Sequence, residues 1–95
     1  MNLYIISQEV NNDYDTFSSA LVCAETEEEA KLYHPDSRCK YYPEHKQHWR
    51  NEDTKKWVSW NTTWVKDIKD VKVEYLGIAD KSVDKGIIIS SYHAG

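Results

Sequence analysis

The sequence predicts an α+β fold: a four- to five-stranded, mostly antiparallel sheet with one short helix, at about 26–34, packed on one face. Three observations predict it. The apolar runs "LYII", "TFSSALVCA", "VKVEYLGIA" and "GIIISSY" are short and rich in β-compatible side chains. Only "TEEEAKLYHP" carries helix start and stop signals. The pieces run strand, strand, helix, aromatic segment, strand, strand, without the regular alternation that a parallel sheet requires. With 95 residues the chain reads as a single domain, 1–95, able to build one modest core.

"LYII", residues 3–6, has apolar side chains at successive positions, the pattern of a strand buried on both faces. "NNDYD", 11–15, is a cluster of turn formers. "TFSSALVCA", 16–24, again carries apolar residues on both parities and predicts a second strand covered on both sides near its end. Thr26 and Glu29 have capping-box spacing, and Glu27 and Glu28 sit where the helix dipole favours negative charge. Pro35 stops the helix at about His34, where a partly charged imidazole would meet the dipole favourably. So short a helix must be held by packing against the sheet.

The aromatic-rich segment 36–64 reads as irregular structure with one short strand at "KKWVSW". An amphipathic helix is the competing reading, because Trp57, Trp60, Trp64, Ile68 and Val71 recur every three or four residues. "SWNTTW" argues against it, Asn and Thr being poor in helix interiors. "VKVEYLGIA", 71–79, alternates as a strand with one wetter face, and "GIIISSY", 86–92, reads as a buried strand. The six-residue, mostly polar connection "DKSVDK" between them predicts that these two pair as a hairpin.

Twelve basic against sixteen acidic residues give a net charge of −4, with the lysines scattered among acids. Duplex nucleic acid is therefore not an expected partner, while stacking on single strands or nucleotides stays open. No apolar run approaches the length of a membrane-spanning helix, and the N-terminus carries no positively charged leader, so a cytoplasmic protein is expected. Cys23 and Cys39 are too few for a disulfide framework and are expected as free thiols, Cys23 as a small core residue.

Four pieces then resemble a known family: "LYIISQEVNNDYDTFSSALVCAETEEEAKLYHP", a tryptophan-bearing middle, "VEYLGIA" and "GIIISSYHAG". They are similar to short, mostly uncharacterised proteins encoded by tailed phages, prophages and some bacteria. The family pattern is L-x-S-Q-x-x-N-x-x-Y-D-T-Y-D-S-A-V-V, an acidic helix ending in His-Pro, and a closing G-V-x-x-x-S-F-x-A-G. The match covers residues 3–35 and 71–95, with departures at Phe17, Ser18 and Tyr92. The resemblance implies a phage or prophage accessory protein working in the host bacterial cytoplasm. It brings no catalytic residues with it.

Candidate chemistry is thin. His34, Cys39, His45 and His48 could ligate a metal, but their spacing fits no zinc pattern, and surface histidines are the favoured reading. Cys39 with a nearby histidine is a weak nucleophile candidate. Asn11, Tyr14 and Asp15 read first as turn structure and otherwise, with Lys56, as ligand contacts. No phosphate loop, nucleophile elbow or HExxH motif is present, so neither an enzyme nor a cofactor is expected.

The four tryptophans all lie between residues 49 and 64. They either complete a small core or form a contact surface, since Trp, Tyr and Arg dominate interface centres. The two roles can be shared, for example with Trp57 inward and Trp49 or Trp60 outward. The expected contact set is Tyr41, Tyr42, Trp49, Arg50, Trp57, Trp60 and Trp64, flanked by acids such as Glu25, Glu27 and Glu28. Combined with the phage setting, this predicts a non-enzymatic protein that binds and inhibits a host defence protein, in the manner of an anti-CRISPR or other anti-defence protein. A sponge for a small nucleotide signal is the alternative, with Lys40, Lys46, Arg50, Lys55 or Lys56 on phosphates. A virion or assembly accessory is the second alternative, and homo-oligomerisation stays open.

Overall fold

The computed structural model describes residues 1–10, 16–58 and 64–93. Among the described residues seven strands follow one another as β1 (Asn2–Ser7), β2 (Thr16–Ala24), β3 (Cys39–Tyr41), β4 (Trp49–Asn51), β5 (Lys56–Trp57), β6 (Lys72–Ile78) and β7 (Gly86–His93), with the helix α1 (Glu27–Ala30) after β2. They form a four-stranded sheet in the order β6-β1-β2-β7 and a three-stranded sheet in the order β3-β4-β5, with antiparallel pairing throughout. The expected α+β architecture is present, mostly β, with α1 on one face of the larger sheet. Among the described residues no helix is long and apolar enough to cross a membrane.

The expected hairpin between the last two strands does not form. β6 and β7 occupy opposite edges, and the β1–β2 hairpin takes the centre. β1 and β2, with apolar residues on both parities, take the central places, whereas β7, expected as a buried strand, is an edge strand with Ile88 and Ile89 exposed. The seven residues between β6 and β7 can span about 23 Å when extended, enough to pass the ~14 Å separating the outer strands of a four-stranded sheet. Their path is anchored at both ends: Ala79 N–H donates to the Met1 carbonyl (2.9 Å), and Lys85 Nζ reaches the Glu29 carboxylate (3.4 Å).

Directly opposed residues on neighbouring strands share a face. Tyr4 opposes Val22, Ile6 opposes Ala20 and Val73, and Val22 opposes Ile87, which defines an inner face. These residues join Ala24, Ala30, Trp49, Trp64, Val65 and Val71 in one core cluster. A bulge at Ser18 changes the parity of β2, so Phe17 also turns toward this core and meets His34 edge-on at 5.9 Å.

The outer face holds Leu3, Ile5 and Leu21, half-buried, and Ile89, which is 64% exposed. None of the four belongs to the core cluster. Burial on both faces, expected for the first two strands, is complete on the inner one, where α1 and the small sheet lie; on the outer one Cys23 is fully buried, as expected, while Leu3, Ile5 and Leu21 are half-buried.

The helix is shorter than the predicted 26–34. Its start is as expected, with Thr26 Oγ1 accepting from Glu29 N–H (3.1 Å). The Glu29 carboxylate reaches one residue further back, to Glu25 N–H (3.1 Å). After Ala30 the hydrogen bonds shorten to i→i+3, from Leu32 N–H to Glu29 and from Tyr33 N–H to Ala30. Tyr33 then bridges to Lys40, which draws the chain out of the helix before Pro35 can stop it. The segment expected to be irregular with one short strand at "KKWVSW" holds three, β3, β4 and β5, of which β5 lies within that stretch. Of the competing amphipathic-helix reading, the described residues contain a single 3-10 turn, Ile68–Asp70, capped by Asp67 Oδ1.

Candidate protein-contact surface

The small sheet is amphipathic, and its register decides the role of each aromatic ring. Tyr41 opposes Trp49 and Cys39 opposes Asn51, so these side chains share one face. Lys40 opposes Arg50, and Arg50 opposes Trp57, on the other. Tyr42 and Glu52 follow on that second face by alternation.

On the inward face Trp49 is 2% exposed and its Nε1–H donates to the Val65 carbonyl at 2.7 Å. Its ring meets Tyr41 at 5.0 Å and His34 at 5.1 Å, both edge-on. Trp64, 3% exposed, lies 6.2 Å from His34. Trp49 and Trp64 are thus core residues and leave the expected contact set. Each indole buries a large apolar area there, and Trp49, on β4, links the small sheet to the main one. The illustrative split with Trp57 inward and Trp49 outward is reversed, because β4 sets Trp49 toward the main sheet while Trp57 pairs across from Arg50. Trp60 lies outside the described residues. Tyr41 is half-buried against Trp49 and His48, so it supports the surface from beneath.

The outward face collects Tyr42, His45, Arg50 and Trp57. The His45 imidazole stacks on the Trp57 indole at 3.5 Å, with 3° between planes. Tyr42 meets Trp57 edge-on at 5.3 Å, and the Arg50 guanidinium stands 5.9 Å from the Trp57 ring centroid. Glu52 ties the group together: Tyr42 O–H donates to Oε1 (2.5 Å) and Arg50 Nη1 to Oε2 (3.3 Å). Lys40 Nζ stands 5.6 Å from the Tyr42 ring centroid. His45 is held in turn by Gln47 N–H, which donates to its Nδ1 (3.1 Å). The result is a half-exposed aromatic patch with two cations and one acid, each side chain braced by a neighbour.

An adjoining groove of about 960 Å3 has Tyr33, Cys39, Tyr41 and Ile68 in its lining. Lys40 and Glu52 stand at its border with the aromatic patch. Burial pushes the Cys39 thiol up to about 11, so it stays protonated at neutral pH and makes a poor nucleophile.

The four metal candidates are dispersed. His34 is sealed in the core, Cys39 lines the groove and His45 lies on Trp57. His48, in a left-handed conformation (φ 64°), places Nδ1 3.0 Å from the Lys66 carbonyl. Among the described residues no three His, Cys, Asp or Glu side chains converge on one point. His34 is also no charged partner for the helix dipole: burial lowers it to about 4, and its Nδ1 accepts from Asp36 N–H (2.9 Å). Of the alternative ligand set, Asn11, Tyr14 and Asp15 lie outside the described residues. Lys56 opposes Asn51, on the face away from Trp57.

His45, Lys40 and Glu52 were missed as members of this surface. The signal was present in the alternation of "KYY" and "WRNE", where Lys40, Tyr42, Arg50 and Glu52 share one parity and Tyr41 and Trp49 the other. Compared with protein-family models, with curated proteins and with solved structures, the chain matches none.

Proposed function

We propose that the chain is a non-enzymatic protein-binding module whose contact centre is the outward face of the small sheet: Tyr42, His45, Arg50 and Trp57. The observation that carries this reading is the bracing of Trp57, stacked by His45 and flanked by Tyr42 and Arg50 while still half-exposed. Rings held in place before contact lose little freedom on binding, and Trp, Tyr and Arg are the residues that anchor interfaces. The phage setting implied by the sequence resemblance makes a host defence protein the partner class, and occupation of its surface the mode of inhibition. Expression of the protein in a bacterium with an active defence system tests this. Phage plating should recover, a host protein should co-purify, and Trp57→Ala with Arg50→Ala should abolish both while the circular dichroism stays native. Recovery of plating by the double variant would refute the assignment.

The groove supports a second reading, a nucleotide sponge, because Arg38, Lys40 and Lys85 line it beside Tyr33 and Tyr41. Two of these cations are already engaged, Arg38 with Asp36 and Lys85 with Glu29, so the reading ranks second. Heat-denatured protein should release a nucleotide if it holds.

A further inference from the structure

We infer that the aromatic patch selects an acidic protein segment, whose carboxylate seats between Lys40 and Arg50 and whose neighbouring apolar side chain enters the adjoining groove. The inference rests on the protein-binding reading and names the partner chemistry of that same surface. Charge is divided unevenly along the chain. Residues 36–58, which hold the small sheet, carry six basic and four acidic side chains, and the remainder carries six basic and twelve acidic ones. The patch therefore stands on a segment of net charge +2, in a protein whose other residues sum to −6.

The strand register concentrates that charge. Lys40 and Arg50 are directly opposed across β3 and β4 on the outward face, and like charges so placed repel. Glu52 relieves the repulsion only in part. Its Oε1 accepts from Tyr42 O–H, and its Oε2 accepts a single bond from Arg50 Nη1 at 3.3 Å. Arg50 Nε and Nη2 meet no acceptor among the described residues. Lys40 is exposed and forms no ion pair among them, its Nζ standing 5.6 Å from the Tyr42 ring centroid. A carboxylate arriving here takes the free guanidinium donors and neutralises the opposed pair. The groove supplies the apolar half of the site. Tyr33, Tyr41 and Ile68 line it and Lys40 stands at its border, so a residue next to that carboxylate reaches the lining.

The same features disfavour a nucleic acid. His45 covers the Trp57 indole and the Arg50 guanidinium stands over the ring, so stacking a base there would displace one of them. A phosphate chain longer than the patch would also run onto the acidic remainder of the protein. A short acidic segment meets neither obstacle.

Affinity selection of a random peptide library on the immobilised full chain tests the assignment. Enriched peptides should carry Asp or Glu beside a large apolar residue, and added salt should weaken their binding. Lys40→Glu should weaken it at least roughly tenfold, a carboxylate now facing a carboxylate. Lys81→Glu, the same change of net charge away from the patch, should leave it unchanged. Lys40 and Lys81 are both exposed, so melting temperatures should stay close to the wild type. Trp57→Ala separates the two claims. Peptides that lose Trp57→Ala but bind Lys40→Glu as well as the wild type would keep the contact surface and overturn its acidic preference. Peptides that bind Trp57→Ala undiminished would overturn both. A neutral or basic consensus, an absence of enrichment, or tighter binding of single-stranded oligothymidylate than of the acidic peptides would also overturn the inference.

Discussion

The His45 imidazole lies flat on the Trp57 indole, 3.5 Å away and 3° from parallel. The contact spans the β3–β4 turn and the short strand β5, and it fixes the orientation of a half-exposed tryptophan without burying it. His45→Ala should therefore free the indole and weaken partner binding about three- to tenfold, the scale of ordering one side chain. Circular dichroism should be unchanged, and titration calorimetry checks the affinity.

Trp49 and Trp57 should separate cleanly in denaturant unfolding. Trp49 fills the core and hydrogen-bonds to Val65, so Trp49→Ala should cost about 3–5 kcal/mol or prevent folding. Trp57→Ala removes a half-exposed ring and should cost about 1 kcal/mol.

His34 should make the fold sensitive to acid. Its folded value is lowered to about 4 by burial, against 6.5 in the unfolded chain, so between these limits the unfolded state binds more protons. The stability it permits is complete above about pH 6.5 and falls as the pH drops toward 4, by roughly 3 kcal/mol in all. Protonation also breaks the hydrogen bond that Nδ1 accepts from Asp36 N–H. Urea midpoints measured from pH 7.5 to 4 should show this slope, and His34→Gln should flatten it.

Lys55 sits at φ 63° in the β4–β5 turn, a left-handed conformation that costs a side-chain-bearing residue energy. The turn itself is set by Asn51 Oδ1, which accepts from Asp53 N–H (2.9 Å) and Thr54 N–H (3.2 Å). Lys55→Gly should raise stability by about 0.5–1 kcal/mol, visible as a higher melting temperature.

The long elements were legible because their signals are local. Residues 16–24 read as a strand and form β2 with those bounds, and the Thr26 cap stands where the spacing put it. Strand order was not legible: the six-residue, mostly polar connection suits a hairpin, yet burial of β1 and β2 at the centre outweighs proximity in sequence. The helix length failed at Tyr33, whose pairing with Lys40 is a tertiary contact invisible to a capping rule. In the aromatic segment composition marked out the rings, but the register divided them between the core and the outward face. Trp49 and Trp57 have the same chemistry and opposite faces.

The central claim is tested most directly by the dissociation constant of the co-purified host protein for the wild type and for Trp57→Ala. The account predicts a loss of at least about thirtyfold, the ~2 kcal/mol of an interface anchor, with unfolding stability nearly unchanged. An affinity within twofold of the wild type would place the contact elsewhere and contradict it.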